Sequence, residues 1–166
     1  MPSATSFSLF VCLLIFVCAI FVPVVMSSDA AGQAYLAENA KRDGVVTTAS
    51  GLQYRVLQDG PIGGKRPTVS SPCSCHYRGT LINGQEFDSS YSRGKPATFA
   101  PNQVIKGWTE AMQLMHEGDK WELTIPSELA YGDRSVGQHI KAGNVLVFEL
   151  ELLEVKGPSA GVKEEL

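Results

Sequence analysis

Hydrophobic and polar residues alternate most cleanly late in the chain, where Leu146, Phe148, Leu150 and Leu152 are separated by Val147, Glu149 and Glu151. A period of two puts one set of side chains on one face, so this stretch is predicted to be the longest strand, apolar side inward. Trp121, Leu123 and Ile125 repeat the pattern, and Pro126 closes it. Cys73, Cys75 and Tyr77 share a face opposite Ser74, His76 and Arg78, after which Asn83 and Gly84 signal a tight turn. Leu52, Tyr54 and Val56 mark an earlier strand, followed by turn-forming glycines and a proline. Phe87 lies on a strand ending in Asp88, Ser89 and Ser90, and Ala97 to Phe99 is a short extended piece. The period changes where Trp108, Ala111, Met112 and Met115 fall at i, i+3, i+4 and i+7, one apolar stripe of a helix that Gly118 is placed to stop. Many strands and one convincing helix predict a small antiparallel α+β domain.

The ends of the chain read differently. From Phe7 to Met26 the sequence is almost wholly apolar, and the first charged side chain is Asp29. Residues 1–27 are therefore expected to be a cleavable signal peptide, with small residues at Ser27 and Ser28 for cleavage and Pro23 opposing an unbroken spanning helix. Retention of the segment as an anchor is the alternative, and the only route to a membrane. Residues 28–46, rich in alanine with Tyr35 and Leu36, are expected to form a short helical lead-in capped by the preceding serines. The core domain is expected over 47–156. In 157–166, Gly157 to Gly161 reads as a flexible spacer before Lys163, Glu164, Glu165 and Leu166, which resemble the Lys-Asp-Glu-Leu signal for retrieval to the endoplasmic reticulum. The expected location is the secretory pathway, with the lumen of that compartment preferred and export as the alternative.

Charge and cysteine content narrow the function classes. A formal net charge of -3 offers no basic surface for nucleic acid. Outside the leader only Cys73 and Cys75 remain. Two residues apart on a strand, they stand parallel and suit a disulfide poorly, so they are expected to pack as small buried hydrophobes. Neither they nor His76, His116 and His139 have metal-ligand spacing, and no cofactor is implied. There is no nucleophile elbow and no phosphate loop. What stands out is a set of aromatic and aliphatic residues at strand ends and beside turns.

Three blocks carry a resemblance: HYRGTLINGQEFDSSYSRGKPATF, QVIKGWTEAMQLMHEGDKWELTIPSELAYG and LVFELELLEV. In order and spacing they resemble FKBP-type peptidyl-prolyl cis/trans isomerases, and TTASGLQYRVLQDG with YGDRSVG is similar to the macrophage infectivity potentiator subgroup. The resemblance runs from about Thr47 to Val155. It implies a twisted antiparallel sheet wrapped around a single short α-helix, with an apolar pocket between them. The catalytic side chains it implies are Tyr77, Phe87, Asp88, Trp108, Tyr131 and Phe148, with Phe99, Val104, Ile105 and Ile140 binding substrate or inhibitor. Trp108 would lie beneath the prolyl ring, while the Ile105 backbone N–H and the Tyr131 hydroxyl would hold carbonyls. Asp88 would contact substrate, or bond a neighbouring backbone or basic group and shape the wall. The implied partners are proline-containing polypeptides and macrolide inhibitors of the rapamycin type. Ala97 departs from the family's frequent aromatic, and Lys141 and Ala142 from its frequent Pro-Pro, both at the rim. The subgroup's long dimerising N-terminal helix has no counterpart, so a monomer is expected.

This chemistry needs no acid or base. Rotation about an X-Pro bond is slow because amide conjugation raises a barrier of about 18–20 kcal/mol. In the twisted transition state conjugation is lost and the amide is less dipolar, so a dry apolar site favours it over the planar form. A thousandfold acceleration requires about 4 kcal/mol of such preference. Two other readings compete: a fold that binds peptide without catalysis, and a thiol oxidoreductase using Cys73 and Cys75.

Overall fold

One face of every long strand is apolar, and the computed structural model, which describes residues 28–164, buries those faces together. In chain order the elements are α1 (Ala30–Asn39), β1 (Val45–Thr47), β2 (Gln53–Gln58), β3 (Lys65–Pro67), β4 (Cys73–Leu81), β5 (Glu86–Ser89), β6 (Ala97–Phe99), α2 (Lys106–Leu114), β7 (Lys120–Ile125), β8 (Leu146–Val155) and β9 (Ser159–Val162). The main sheet is antiparallel in the order β1-β2-β7-β8-β4-β5, and β6 also pairs with β4. Both β5 and β6 use the same strand, β5 against Arg78–Thr80 and β6 against Cys73–Cys75.

Inward residues of the central strands meet α2. Trp121, Leu123 and Ile125 of β7, Leu146, Leu150 and Leu152 of β8, and Cys73 and Cys75 of β4 form one core with Ala111, Met112 and Met115. Each fully buried aliphatic side chain contributes about 1.5–3 kcal/mol, so this layer carries the fold's stability. The helix ends at Leu114, earlier than expected. Gly118, at φ +86°, serves the following turn into β7 instead of the helix terminus.

The segment expected as a short helical lead-in forms α1, a regular helix of 10 residues. Its cap is Asp29, not a serine: the carboxylate accepts from the Gly32 N–H at 2.7 Å. Polar anchors hold α1 to the sheet. The Asn39 side-chain amide, buried, donates to Gln53 Oε1 at 2.8 Å and Thr124 Oγ1 at 3.2 Å, and Gln53 donates to the Leu36 carbonyl at 3.0 Å.

The far end also departs from expectation. Where a flexible spacer was expected, β9 pairs with β3, Lys65 opposite Val162 and Pro67 opposite Ser159. Backbone bonds between Lys163 and both Gly63 and Gly64, and an ammonium bond from Lys163 to Asp59 at 3.0 Å, extend the attachment. The expected signal peptide lies outside the described residues, as do Glu165 and Leu166 of the C-terminal motif.

Candidate active site

Where β4, β8 and the start of α2 meet, their inward side chains are aromatic, and rings cannot close the space between three elements as branched aliphatics do. A cavity of about 560 Å³ remains, open to solvent. Trp108, in the first turn of α2 and 4% exposed, lines it. Three rings pack near-perpendicular to the indole: Tyr77 at 5.1 Å, Phe148 at 5.2 Å and Phe99 at 5.9 Å, all within 10° of perpendicular (83°, 80° and 82°). Phe87 in turn meets Phe148 edge-on at 5.5 Å. Edge-to-face pairs contribute about 0.5–1.5 kcal/mol each beyond burial, so the rings fix one another before any ligand arrives. The indole N–H of Trp108 is buried without a hydrogen-bond acceptor among the described residues.

Polar groups gather at one wall. The Tyr77 hydroxyl donates to Asp88 Oδ2 at 2.6 Å; Arg93 donates to the other Asp88 oxygen and, at 2.7 Å, to the Tyr77 oxygen. The Arg93 guanidinium also lies 5.4 Å from the Tyr77 ring centroid. Partial burial acts to raise the Asp88 pKa, but hydrogen bonds from Tyr77 and Arg93 with the charge of Arg93 outweigh it and hold the carboxyl below its ordinary value. The Tyr77 phenol is pushed up, first by desolvation and then by its bond to Asp88. Asp88 therefore stays ionised and Tyr77 neutral at neutral pH, and the hydrogen bond between them fixes the ring's position. Of the two roles expected for Asp88, the bond to a basic neighbour is present.

Every residue the sequence suggested lines the cavity except Ile140. Val104, Ile105 and Tyr131 contribute beside the rings. Ile140 is buried in the same cluster as Tyr77, Trp108 and Phe148, and is bridged antiparallel to Val136 within the β7–β8 connection. Sequence reasoning missed Gln103, Lys106, Ala130 and Arg134 on the lining and Arg93 behind it. For Arg93 the available signal was its place five residues after an acid that needs a partner. The rim residue Ala97 is half-buried in β6 and does not line the cavity, and Lys141 is exposed.

The other candidates for chemistry are spoken for. Cys73 and Cys75 are fully buried free thiols. Desolvation pushes their pKa values up to about 11 and about 12, aided by the charge of Glu117 on Cys73 and by Cys73 on Cys75. Thiolate is scarce at neutral pH, which disfavours redox exchange. His76 stacks on Tyr91 at 4.6 Å with its Nδ1 2.8 Å from Ser90 Oγ, and His139 meets Gln85 at 2.9 Å.

Residues 63–153 match the family model described as FKBP-type peptidyl-prolyl cis-trans isomerase, and residues 25–56 match the domain amino terminal to it. Over 126 residues the chain is 54% identical to the FKBP-type 22 kDa peptidyl-prolyl cis-trans isomerase of Escherichia coli K12, covering 76% of this chain and 60% of that one. It is 47% identical over 129 residues to the outer membrane protein MIP of Legionella longbeachae, covering 78% and 54% of the two chains. The macrophage infectivity potentiator of Trypanosoma cruzi is 44% identical over 130 residues, with 78% and 66% covered. Among solved structures, FkpA from Escherichia coli superposes with a TM-score of 0.72 at 45% identity, over 76% of this chain and 58% of that one. AtFKBP13 gives 0.63 at 37% identity, over 67% and 98%. The chain thus spans 60% or less of the bacterial relatives named here.

Proposed function

This chain belongs to the FKBP-type peptidyl-prolyl cis-trans isomerase family, and on that premise we propose that it accelerates rotation about X-Pro bonds in polypeptides. One observation carries the reading: a solvent-open cavity in which three rings pack near-perpendicular to a buried indole. A prolyl ring over Trp108 exchanges water for aromatic surface, and the adjacent amide enters a medium of low polarity. Water stabilises the planar, dipolar amide more than the twisted one, so removing water lowers the barrier. In this reading Tyr77, Phe87, Phe99 and Phe148 wall the site, and Val104, Ile105 and Tyr131 hold the chain on either side of proline. Asp88 positions Tyr77, with Arg93 as its counter-ion.

Two-dimensional exchange NMR on a proline peptide tests this. Cross-peaks between cis and trans signals are expected to grow faster with protein than without; the uncatalysed rate in its presence would leave only a peptide-binding module. The same assay carries a pH expectation. Because the folded Asp88 pKa is depressed, the bonds it accepts are fully present above its unfolded value and are lost only as pH falls through the lower folded one. The catalysed rate should therefore be flat from about pH 8 to about pH 5. A fall to half between those limits would contradict the assignment of Asp88.

We also propose that the protein works beyond the cytoplasm, supported by the apolar stretch from Phe7 to Met26 and by a relative named as an outer membrane protein. Of retention and export, the engagement of Lys163 with Asp59, Gly60 and Gly64 favours export, since a retrieval receptor needs a free terminus. Cell fractionation should find the same distribution after deletion of residues 163–166. Loss of a retained pool on deletion would reverse the preference.

A further inference from the structure

The connection between β7 and β8 runs from residue 126 to residue 145, and its regular structure is limited to a three-residue 3₁₀ turn at Ser127–Leu129 and the Val136–Ile140 bridge. Connections of that length without elements of their own are uncommon and need anchoring. This one supplies Ala130, Tyr131 and Arg134 to the cavity wall. Both of its ends are tied to the same few residues at the start of α1. At the first end, the Ser127 N–H donates to Ser28 Oγ at 3.0 Å, and the Ser28 N–H donates to Glu128 Oε1 at 3.0 Å. At the second, the Asp29 N–H donates to the Gly143 carbonyl at 2.9 Å, and Asn144 Nδ2 donates to Asp29 Oδ2 at 3.0 Å. Ser28 and Ser127 are buried, so the bond between them is shielded from competing water. A Cβ at Gly32 would stand 2.6 Å from Val145 Cγ2, which shows how closely the helix backbone approaches the residue preceding β8.

Asp29 is shared between two tasks: Oδ1 caps α1 through the Gly32 N–H, and Oδ2 receives Asn144. Asn144 is fixed in orientation by opposite bonds, its Oδ1 accepting from the Lys141 N–H at 2.9 Å while its Nδ2 donates to Asp29. Inside the loop, Gly132 joins the ends, its N–H donating to the Ser127 carbonyl at 2.8 Å and its carbonyl accepting from the Gly143 N–H at 2.8 Å. Tyr131, adjacent to that junction, inherits its position from it.

We propose that Ser28 and Asp29 are positioning residues for the active site, a clamp in the amino-terminal segment that holds the loop bearing Tyr131 against the cavity. They lie outside the stretch matched by the isomerase model and inside the one matched by its amino-terminal partner. The segment is thereby part of the site's construction and not a lead-in to it. Its effect on substrate rests on the isomerase reading above; its effect on the loop does not.

Exchanging the partners of one bond tests the clamp without removing the helix cap. Asp29→Asn keeps an acceptor for Gly32 but turns a donor toward the donor of Asn144. Asn144→Asp keeps an acceptor for Lys141 but sets like charges together. The combination of both restores a donor facing an acceptor. Each single variant is expected to raise KM for an X-Pro peptide about threefold or more with a smaller change in kcat, the scale of one charge-assisted hydrogen bond partly transmitted. Each should also speed hydrogen–deuterium exchange at residues 130–142, and the combination should return both readouts toward wild type. Single variants with wild-type KM and loop exchange would overturn the proposal, as would a combination no better than either. If the wild-type protein proves inactive, the isomerase reading fails, while loop exchange in the same variants still decides the clamp.

Discussion

Trp108→Leu is expected to lower kcat/KM for X-Pro exchange by about tenfold or more while the domain stays folded. A tenfold loss corresponds to about 1.4 kcal/mol of transition-state stabilisation. The indole supplies the broad face on which a prolyl ring would lie, and it organises Tyr77, Phe99 and Phe148, which all pack near-perpendicular to it. Leucine fills part of the volume but offers neither face nor quadrupole, so the three rings lose their common reference. Trp108 is also a core residue at 4% exposure, and truncation to alanine would cost about 3–5 kcal/mol. Leucine separates activity from stability better. Urea denaturation and near-ultraviolet circular dichroism establish that the variant is folded. A folded variant within twofold of wild-type kcat/KM would remove Trp108 from the mechanism.

Gly79→Ala is expected to lower both stability and activity. Gly79 lies on β4 directly opposite Phe148 on β8. A Cβ there would come within 2.7 Å of Phe148 Cε1 and of Phe87 Cε2 and Cζ. Both rings line the cavity, so they must swing into the space the substrate needs or force the two strands apart. Overpacking of this kind costs about 1–3 kcal/mol, enough to shift a thermal midpoint by several degrees in a domain of this size. Calorimetry and the exchange assay together read the result. An unchanged midpoint with unchanged KM would mean that the rings yield freely and that the wall is softer than its geometry indicates.

Elements that bury one apolar face were legible in the sequence. The alternation of Leu146 to Leu152 and of Trp121 to Ile125 marks β8 and β7 because each has a dry side and a wet side, and the Trp108 to Met115 stripe marks α2 for the same reason. The strand β9 was not legible, and α1 was legible only as a short helical lead-in. α1 is fastened through Asn39, Gln53 and Thr124, and polar anchors leave no hydrophobic period. β9, of Ser159, Ala160, Gly161 and Val162, is held by backbone pairing, to which side-chain composition is blind. At the site, family resemblance carried Tyr77, Asp88 and Trp108 to the cavity as chain positions. Arg93 lies between β5 and β6, where no periodicity singles out one cation from its neighbours.

The chain has only two tryptophans, and the fold gives them separate stations. Trp108 belongs to the cavity, while Trp121 is stacked on Tyr54 at 4.3 Å and has no part in the lining. Occupancy of the cavity is therefore expected to change the emission of one indole over a background from the other, so that binding can be titrated in the unlabelled protein.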